Sequence, residues 1–253
     1  MKLWATLVGV VVVLLGAIVI SSEGSLLARL SVLMQRPDGP SIVMQVEPDG
    51  MELDQTVEQS IRAIERRLYE LGTRGAIERQ GADQVLVRLS RSADLKHSIE
   101  VMTRRGKLEF RLVDFTEPVE QVQRRPPRGW EVLYGRGDRR SYLVEKRVFV
   151  SGRDVVDAQP GFDTRTSEPL VSFRFNTNGT RQFAQATQEN VGKPFAIVLD
   201  NEVISAPLIR EPILGGSGQI SGSFTVQSAS DLAILLRSGE LPGRLTVIEQ
   251  RMP

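Results

Sequence analysis

The sequence contains no cysteine and only one histidine, His97, among its 253 residues. Without cysteine there are no disulfides, no thiolate nucleophiles and no cysteine-ligated metal sites. A lone imidazole leaves no histidine pair for a zinc site within one chain. An excess of one charge is missing too: 32 Lys and Arg stand against 31 Asp and Glu, a net charge of +1. The two signs are interleaved along the chain, so no basic face for nucleic acid is expected. No calcium loop of the D-x-D-x-D-G kind is present. Gly215-Gly216-Ser217-Gly218 lacks both the lysine of a phosphate loop and the strand-turn-helix setting of a dinucleotide fingerprint, so it reads as a turn. His97 falls on a predicted helix with no nucleophile or orienting group nominated beside it, so it reads as a surface residue. These absences point away from an enzyme. No catalytic residue, cofactor, metal or small-molecule substrate is expected.

One long hydrophobic run is present. Leu3 to Ile20 carries no charge and as a helix spans about 27 Å, against about 30 Å for a bilayer core. It has no polar face, so residues 1–22 are expected to anchor the chain in lipid through residues 3–20. The run exceeds a usual signal-peptide core and ends at a poor cleavage sequence, Val19-Ile20-Ser21, which favours an uncleaved anchor. Residues 23–40 read as a tether. It contains an apolar stretch, Leu26 to Met34, suited to an interfacial helix, and ends in the breaker cluster Arg36-Pro37-Asp38-Gly39-Pro40.

Beyond the tether the pattern is that of a globular domain. A strand is predicted over Ile42 to Val46, then a helix capped by Asp54 or Thr56, with Val57, Ile61, Ile64, Leu68 and Leu71 at helical spacing and Gly72 as its stop. Strands over Ala76 to Arg79 and Gln84 to Leu89 follow. A helix over Ser92 to Arg104 and a strand over Lys107 to Val113 complete a β-α-β-β-α-β order. That order predicts an α+β fold of the ferredoxin-like kind, with both helices on one face of an antiparallel sheet. After a proline- and arginine-containing stretch, strand signals return at Val148 to Val150, Asp154 to Ala158 and Leu170 to Phe175. A helix opened by Asn176 or Asn178 runs to Glu189. Asp200-Asn201 marks a two-residue hairpin between Phe195–Leu199 and Glu202–Pro207. A helix over Ser228 to Arg237 and a strand over Leu245 to Ile248 close the pattern. The cluster Arg124-Arg125-Pro126-Pro127-Arg128 reads as a solvated loop.

The feature that stands out is apolar. Phe195 to Ile213 reads FAIVLDNEVISAPLIREPI, a long β-rich segment. Most of it is expected to pack in the core. It is also the kind of segment that offers a strand edge or groove to an extended polypeptide. The candidate contact residues are Phe195, Ile197, Leu199, Ile204, Leu208, Ile209 and Ile213.

Three stretches resemble the SecD family of protein-export membrane subunits: GKLEFRLV at 106–113, AIVLDNEVISAPLIREPILGGSGQISG at 196–222, and DLAILLRSGELP at 231–242 followed by LTVIE. The resemblance implies a ferredoxin-like base over 41–113 plus 226–250 and an inserted α+β head subdomain over 114–225. It implies a protein of the bacterial inner membrane with its C-terminal domain in the periplasm, single-pass if residues 3–20 are the one span. Exported polypeptides, SecF and the SecYEG channel are the implied partners. Full members of the family carry a proton path on further transmembrane helices. This sequence stops at Pro253, where a second such helix would begin, so the expected role is to bind polypeptide or dock on the Sec translocase without proton coupling of its own. The alternative is an envelope scaffold or regulatory interaction domain derived from SecD.

Overall fold

The computed structural model describes residues 37–116, 119–137 and 140–252. The expected anchor at residues 1–22 and the tether as far as residue 36 lie outside them. Among the described residues no helix is long and apolar enough to cross a membrane. The elements in chain order are β1 (Ser41–Pro48), α1 (Leu53–Glu70), β2 (Gly75–Gln80), β3 (Gln84–Leu89), α2 (Leu95–Thr103), β4 (Leu108–Asp114), α3 (Val119–Val122), β5 (Trp130–Gly135), β6 (Ser141–Glu145), β7 (Val150–Ser151), β8 (Val155–Phe162), β9 (Pro169–Phe175), α4 (Thr177–Glu189), β10 (Phe195–Leu199), β11 (Glu202–Ser205), β12 (Ser217–Ser221), α5 (Val226–Ser238) and β13 (Gly243–Arg251). The fold is mixed α+β.

The first sheet has the order β13-β1-β3-β2, with every pair antiparallel. Ile42, Met44 and Val46 of β1 alternate with more open residues and meet Val85, Val87 and Leu89 of β3 on one face. Helix α1 covers that face with Val57, Ala63, Ile64 and Leu68. Neither Asp54 nor Thr56 caps α1. The helix begins a turn earlier than Thr56, with Glu52 in the cap position, and the Thr56 hydroxyl donates to the Glu52 carbonyl at 2.9 Å. Gly72 ends it at φ +65°. The amides of Gly72 and Thr73 there bond the carbonyls of Tyr69 and Leu68.

The strand expected to close this sheet does not belong to it. β4 pairs with β10, β6 and β7 in a second sheet, and β13 takes the place beside β1. The reason lies in the sequence after α2. Gly106 at φ +76° turns the chain. The amides of Gly106 and Lys107 then bond the Asp200 carboxylate at 3.2 and 2.8 Å, which seats β4 against β10.

In that second sheet β4, β10, β11, β5 and β6 pair in a closed ring, with only β11–β5 parallel. Val113, Leu133, Val144, Ala196, Val198 and Val203, drawn from all five strands, fill it. Asp200 and Asn201 at φ 53° and 66° make the tight β10–β11 turn. A third sheet, β12-β9-β8, packs with α4 and α5 onto the outer face of β4 and β10. Their common core holds Leu108, Phe110, Phe173, Phe175, Phe183, Phe195, Ile197, Leu232 and Leu236. Asn176 is the cap of α4, accepting from the Gly179 amide at 2.8 Å.

Candidate functional site

The largest concentration of aromatic side chains lies under the segment singled out from the sequence. Phe110 of β4 stands at its centre. Its ring centroid is 5.5 Å from those of Phe173 and Phe175, 5.6 Å from Phe183 and 6.0 Å from Phe195. Such spacings are those of favourable tilted and edge-on ring pairs. The alternation of β4 and β10 puts Phe110, Phe195 and Ile197 on the same side.

Over this aromatic floor an apolar groove of about 310 Å³ remains open. Phe110, Phe173, Phe183, Phe195 and Ile197 line its floor, with Thr187 of α4 beside them. Its walls are the segment Pro207 to Ile213 on one side and Gly218 and Gln219 of β12 on the other. The Pro207–Ile213 wall is held by backbone bonds. The Phe195 amide donates to the Pro207 carbonyl at 2.9 Å, the Ile209 amide to Lys193 at 3.0 Å and the Gly192 amide to Ile209 at 2.8 Å. The Ile213 amide bonds the Thr187 hydroxyl at 2.9 Å. Gly218 passes directly over the floor, where a Cβ would lie 2.6 Å from the tip of the Phe173 ring. Glycine is therefore required there on spatial grounds.

The seven candidate contact residues are not brought to one surface. Phe195, Ile197 and Ile209 line the groove but are almost fully buried. Leu208 is 55% exposed and Ile213 is 36% exposed, and both stand on the rim. Leu199 and Ile204 do not reach the groove and pack in the core. Leu214, 66% exposed and next to Ile213, adds apolar surface that sequence reasoning did not nominate.

Two buried charged sites were also missed. Arg111 and Glu109 alternate with the apolar residues of β4, yet they are only 3% and 6% exposed. Arg111 donates through Nε to the Glu145 carbonyl at 2.6 Å and through one terminal nitrogen to Glu131 at 2.6 Å. Glu109 lies 3.4 Å from Arg111 and 2.6 Å from Lys107. Arg67 on α1 is fully buried. Burial pushes its guanidinium down to about 10, with Asp200 opposing that push and Arg66 adding to it, so it stays cationic at neutral pH. A signal for Arg67 existed in the sequence: it falls three residues after Ile64, on the apolar stripe.

A wider polar cleft of about 570 Å³ lies between α5 and the loop after β1. Its two carboxylates, Asp49 and Glu240, are both paired with arginines, while Arg66 bonds the Ser238 carbonyl and Arg237 pairs with Glu70 outside the lining. Arg105 pairs with Asp49 at 2.6 Å and with Glu240 at 3.1 Å, and Arg153 reaches Glu240 at 3.3 Å. The Arg105 bond holds the Asp49 carboxyl below its ordinary range. His97 is not a bare surface residue. Its Nε2 lies 2.8 Å from Asp231 of α5. Among the described residues no three His, Asp or Glu side chains gather where a metal ion would be held.

Comparison with known proteins places this arrangement. A family model described as the SecDF P1 head subdomain matches residues 130–243. A second, described as the N-terminal part of the P1 domain of protein translocase subunit SecDF, matches residues 57–115. A solved chain from "Structure and function of a membrane component SecDF that enhances protein export" is 32% identical, with a TM-score of 0.67. The match covers 84% of this chain and 100% of that one. The chain belongs to the SecD family. SecDF in its super-membrane-facing form is 31% identical with a TM-score of 0.69, over 84% of this chain and 30% of that one. The SecD protein translocase subunit of Rickettsia bellii is 42% identical over 202 residues, 79% of this chain. That of Acetobacter pasteurianus is 40% identical over 223 residues, 86% of this chain. The chain spans about two fifths of the length of these curated SecD relatives, 39% and 42% respectively.

Proposed function

We propose that this chain handles polypeptide during protein export, as a membrane-anchored SecD-family component whose described part stands in the periplasm. The observation that carries the proposal is the open groove with an apolar aromatic floor and the exposed rim residues Leu208 and Ile213. A groove of this shape and chemistry suits an extended chain whose alternate side chains enter it while its backbone stays accessible. The role assigned to this part of the protein is contact, with no catalysis. Its anchor is the apolar run at residues 3–20, and its partners by family resemblance are SecF and the Sec translocase.

The domain division belongs to the same proposal. Strand order and connectivity support a ferredoxin-like base built from β1, α1, β2 and β3 and completed by α5 and β13. The ring and the third sheet form the head. On this reading the base ends near Thr103, earlier than residue 113, because β4 pairs with β10.

The test is site-specific photo-crosslinking in cells that export protein. A photoreactive residue at Leu208 or Ile213 is expected to trap chains in transit. The same residue at Tyr69, 84% exposed on α1, is expected to trap far fewer. Equal yields from all three positions would refute the proposal.

A further inference from the structure

The third sheet, β12-β9-β8, has two edges, and they are finished differently. The Phe175 amide donates to the Gly216 carbonyl at 2.9 Å, which sets the phase of the β12–β9 ladder. In the observed register Gly218 faces Phe173 and Ile220 faces Val171, so these are the residues of β12 that bond β9. Ser217, Gln219 and Ser221 turn their amides and carbonyls the other way, toward the open edge. Among the described residues none of those groups has a backbone partner.

At the far edge the same phase gives Ala158, Pro160 and Phe162 of β8 the outward positions. There the Ala158 carbonyl is taken by Arg237 of α5, and Pro160 has no amide to offer. A bulge between Val155 and Asp157 twists the start of that strand. Proline, a bulge and a covering side chain are ways in which proteins blunt a sheet edge against further pairing. β12, reading SGQIS, has no proline, no charge and no register shift. The edge left unblunted is the one that borders the groove, where Gly218 and Gln219 form a wall.

A row of unpaired amides and carbonyls beside an apolar floor matches one kind of partner. An extended polypeptide supplies the complementary row from its own backbone, and its alternate side chains reach the floor. A lipid tail would fill the floor and leave the row unpaired. We infer, on the polypeptide-handling reading above, that the chain taken up by the groove adds to the third sheet as a strand alongside β12, bonded to the backbone of Ser217, Gln219 and Ser221. Recognition of this kind reads the backbone and the apolar alternation, so it accepts many sequences and rejects proline at the bonded positions.

Fluorescence polarisation of the full chain tests this with a labelled peptide of about seven residues, alternating valine and threonine, with a lysine added at each end. Two further peptides carry N-methyl groups, one on the valine amides and the other on the threonine amides. Only one edge of the bound strand faces β12, so one of these two should lose at least about tenfold in affinity and the other should bind like the parent. With the valines on the floor, loss through the threonines marks an antiparallel added strand and loss through the valines a parallel one. On the protein side, Gln219→Pro removes an outward amide and spares the bonds to β9, whereas Gln219→Ala removes only the side chain. Gln219→Pro should bind the parent peptide at least about fivefold more weakly than Gln219→Ala. The N-methyl comparison uses the unaltered chain, so it stands even if Gln219→Pro does not fold. Equal affinities for the two N-methylated peptides would overturn strand addition and leave the polypeptide reading in place. A folded Gln219→Pro that binds like Gln219→Ala would do the same. A parent peptide that does not bind at all would overturn both.

Discussion

Replacing Arg111 by methionine should destabilise the protein by about 3 kcal/mol, as expected when one partner of a buried ion pair is removed. The magnitude follows from what the change leaves behind. Glu109 is 6% exposed and would lose a cation 3.4 Å away. The Glu145 carbonyl would lose a donor at 2.6 Å. Two features hold the loss toward the lower end of the range. Glu109 keeps Lys107 at 2.6 Å, and Glu131, with 38% of its side chain exposed, can turn to water. Glu109→Gln in the same background should remove the orphaned charge, so the double variant should be no less stable than Arg111→Met alone. The coupling energy of the cycle should then be about 1–2 kcal/mol. Urea unfolding of the full chain followed by circular dichroism measures all four corners. A loss below about 1 kcal/mol for Arg111→Met, or strict additivity in the double variant, would show that the ring is not held by this pair.

Phe110→Ala should be among the most destabilising single changes, at about 4 kcal/mol by thermal or urea unfolding, because it empties the centre of four ring contacts. Gly218→Ala should lower the melting temperature despite adding one methyl group, since that methyl meets the Phe173 ring. Acid should weaken the fold through Asp49, held low by Arg105, and through Asp163, held low by the amides of Thr166 and Arg165. Both carboxyls sit below the ordinary 3.8 in the folded chain, so their contribution is present above that value and is lost as pH falls through the lower folded values. The Asp49→Asn and Asp163→Asn double variant should lose less stability than the parent between pH 5 and pH 2, about the range over which such carboxylates titrate.

Much of the fold was legible because local chemistry and tertiary packing agree. The helical stripe of α1, the stop at Gly72 and the Asp200-Asn201 turn are all where spacing and turn chemistry put them. The last strand of the first sheet was not legible. Leu108, Phe110 and Leu112 alternate with Glu109 and Arg111, a pattern that suits a half-exposed strand in any sheet. Its partner is decided by Asp200, 93 residues from Lys107 along the chain. The same pattern hid the buried ion pair, because ring closure covers the face that alternation assigns to solvent. For the groove, the sequence identified the segment but not the division within it. A continuous apolar run does not distinguish Leu199, packed in the core, from Leu208, on the rim.

The central claim is that the groove, through its rim, holds extended apolar polypeptide. The most direct measurement is a fluorescence-polarisation titration of the full chain with a labelled extended apolar peptide, repeated on Leu208→Asp with Ile213→Asp and on Tyr69→Asp. Exposed positions away from buried features change stability by about 0.5 kcal/mol or less, so the melting temperatures should stay close together. The account predicts that the rim variant loses at least about tenfold in affinity, roughly 1.4 kcal/mol, while Tyr69→Asp binds like the parent. Unchanged affinity in the rim variant, or an equal loss from Tyr69→Asp, would contradict it.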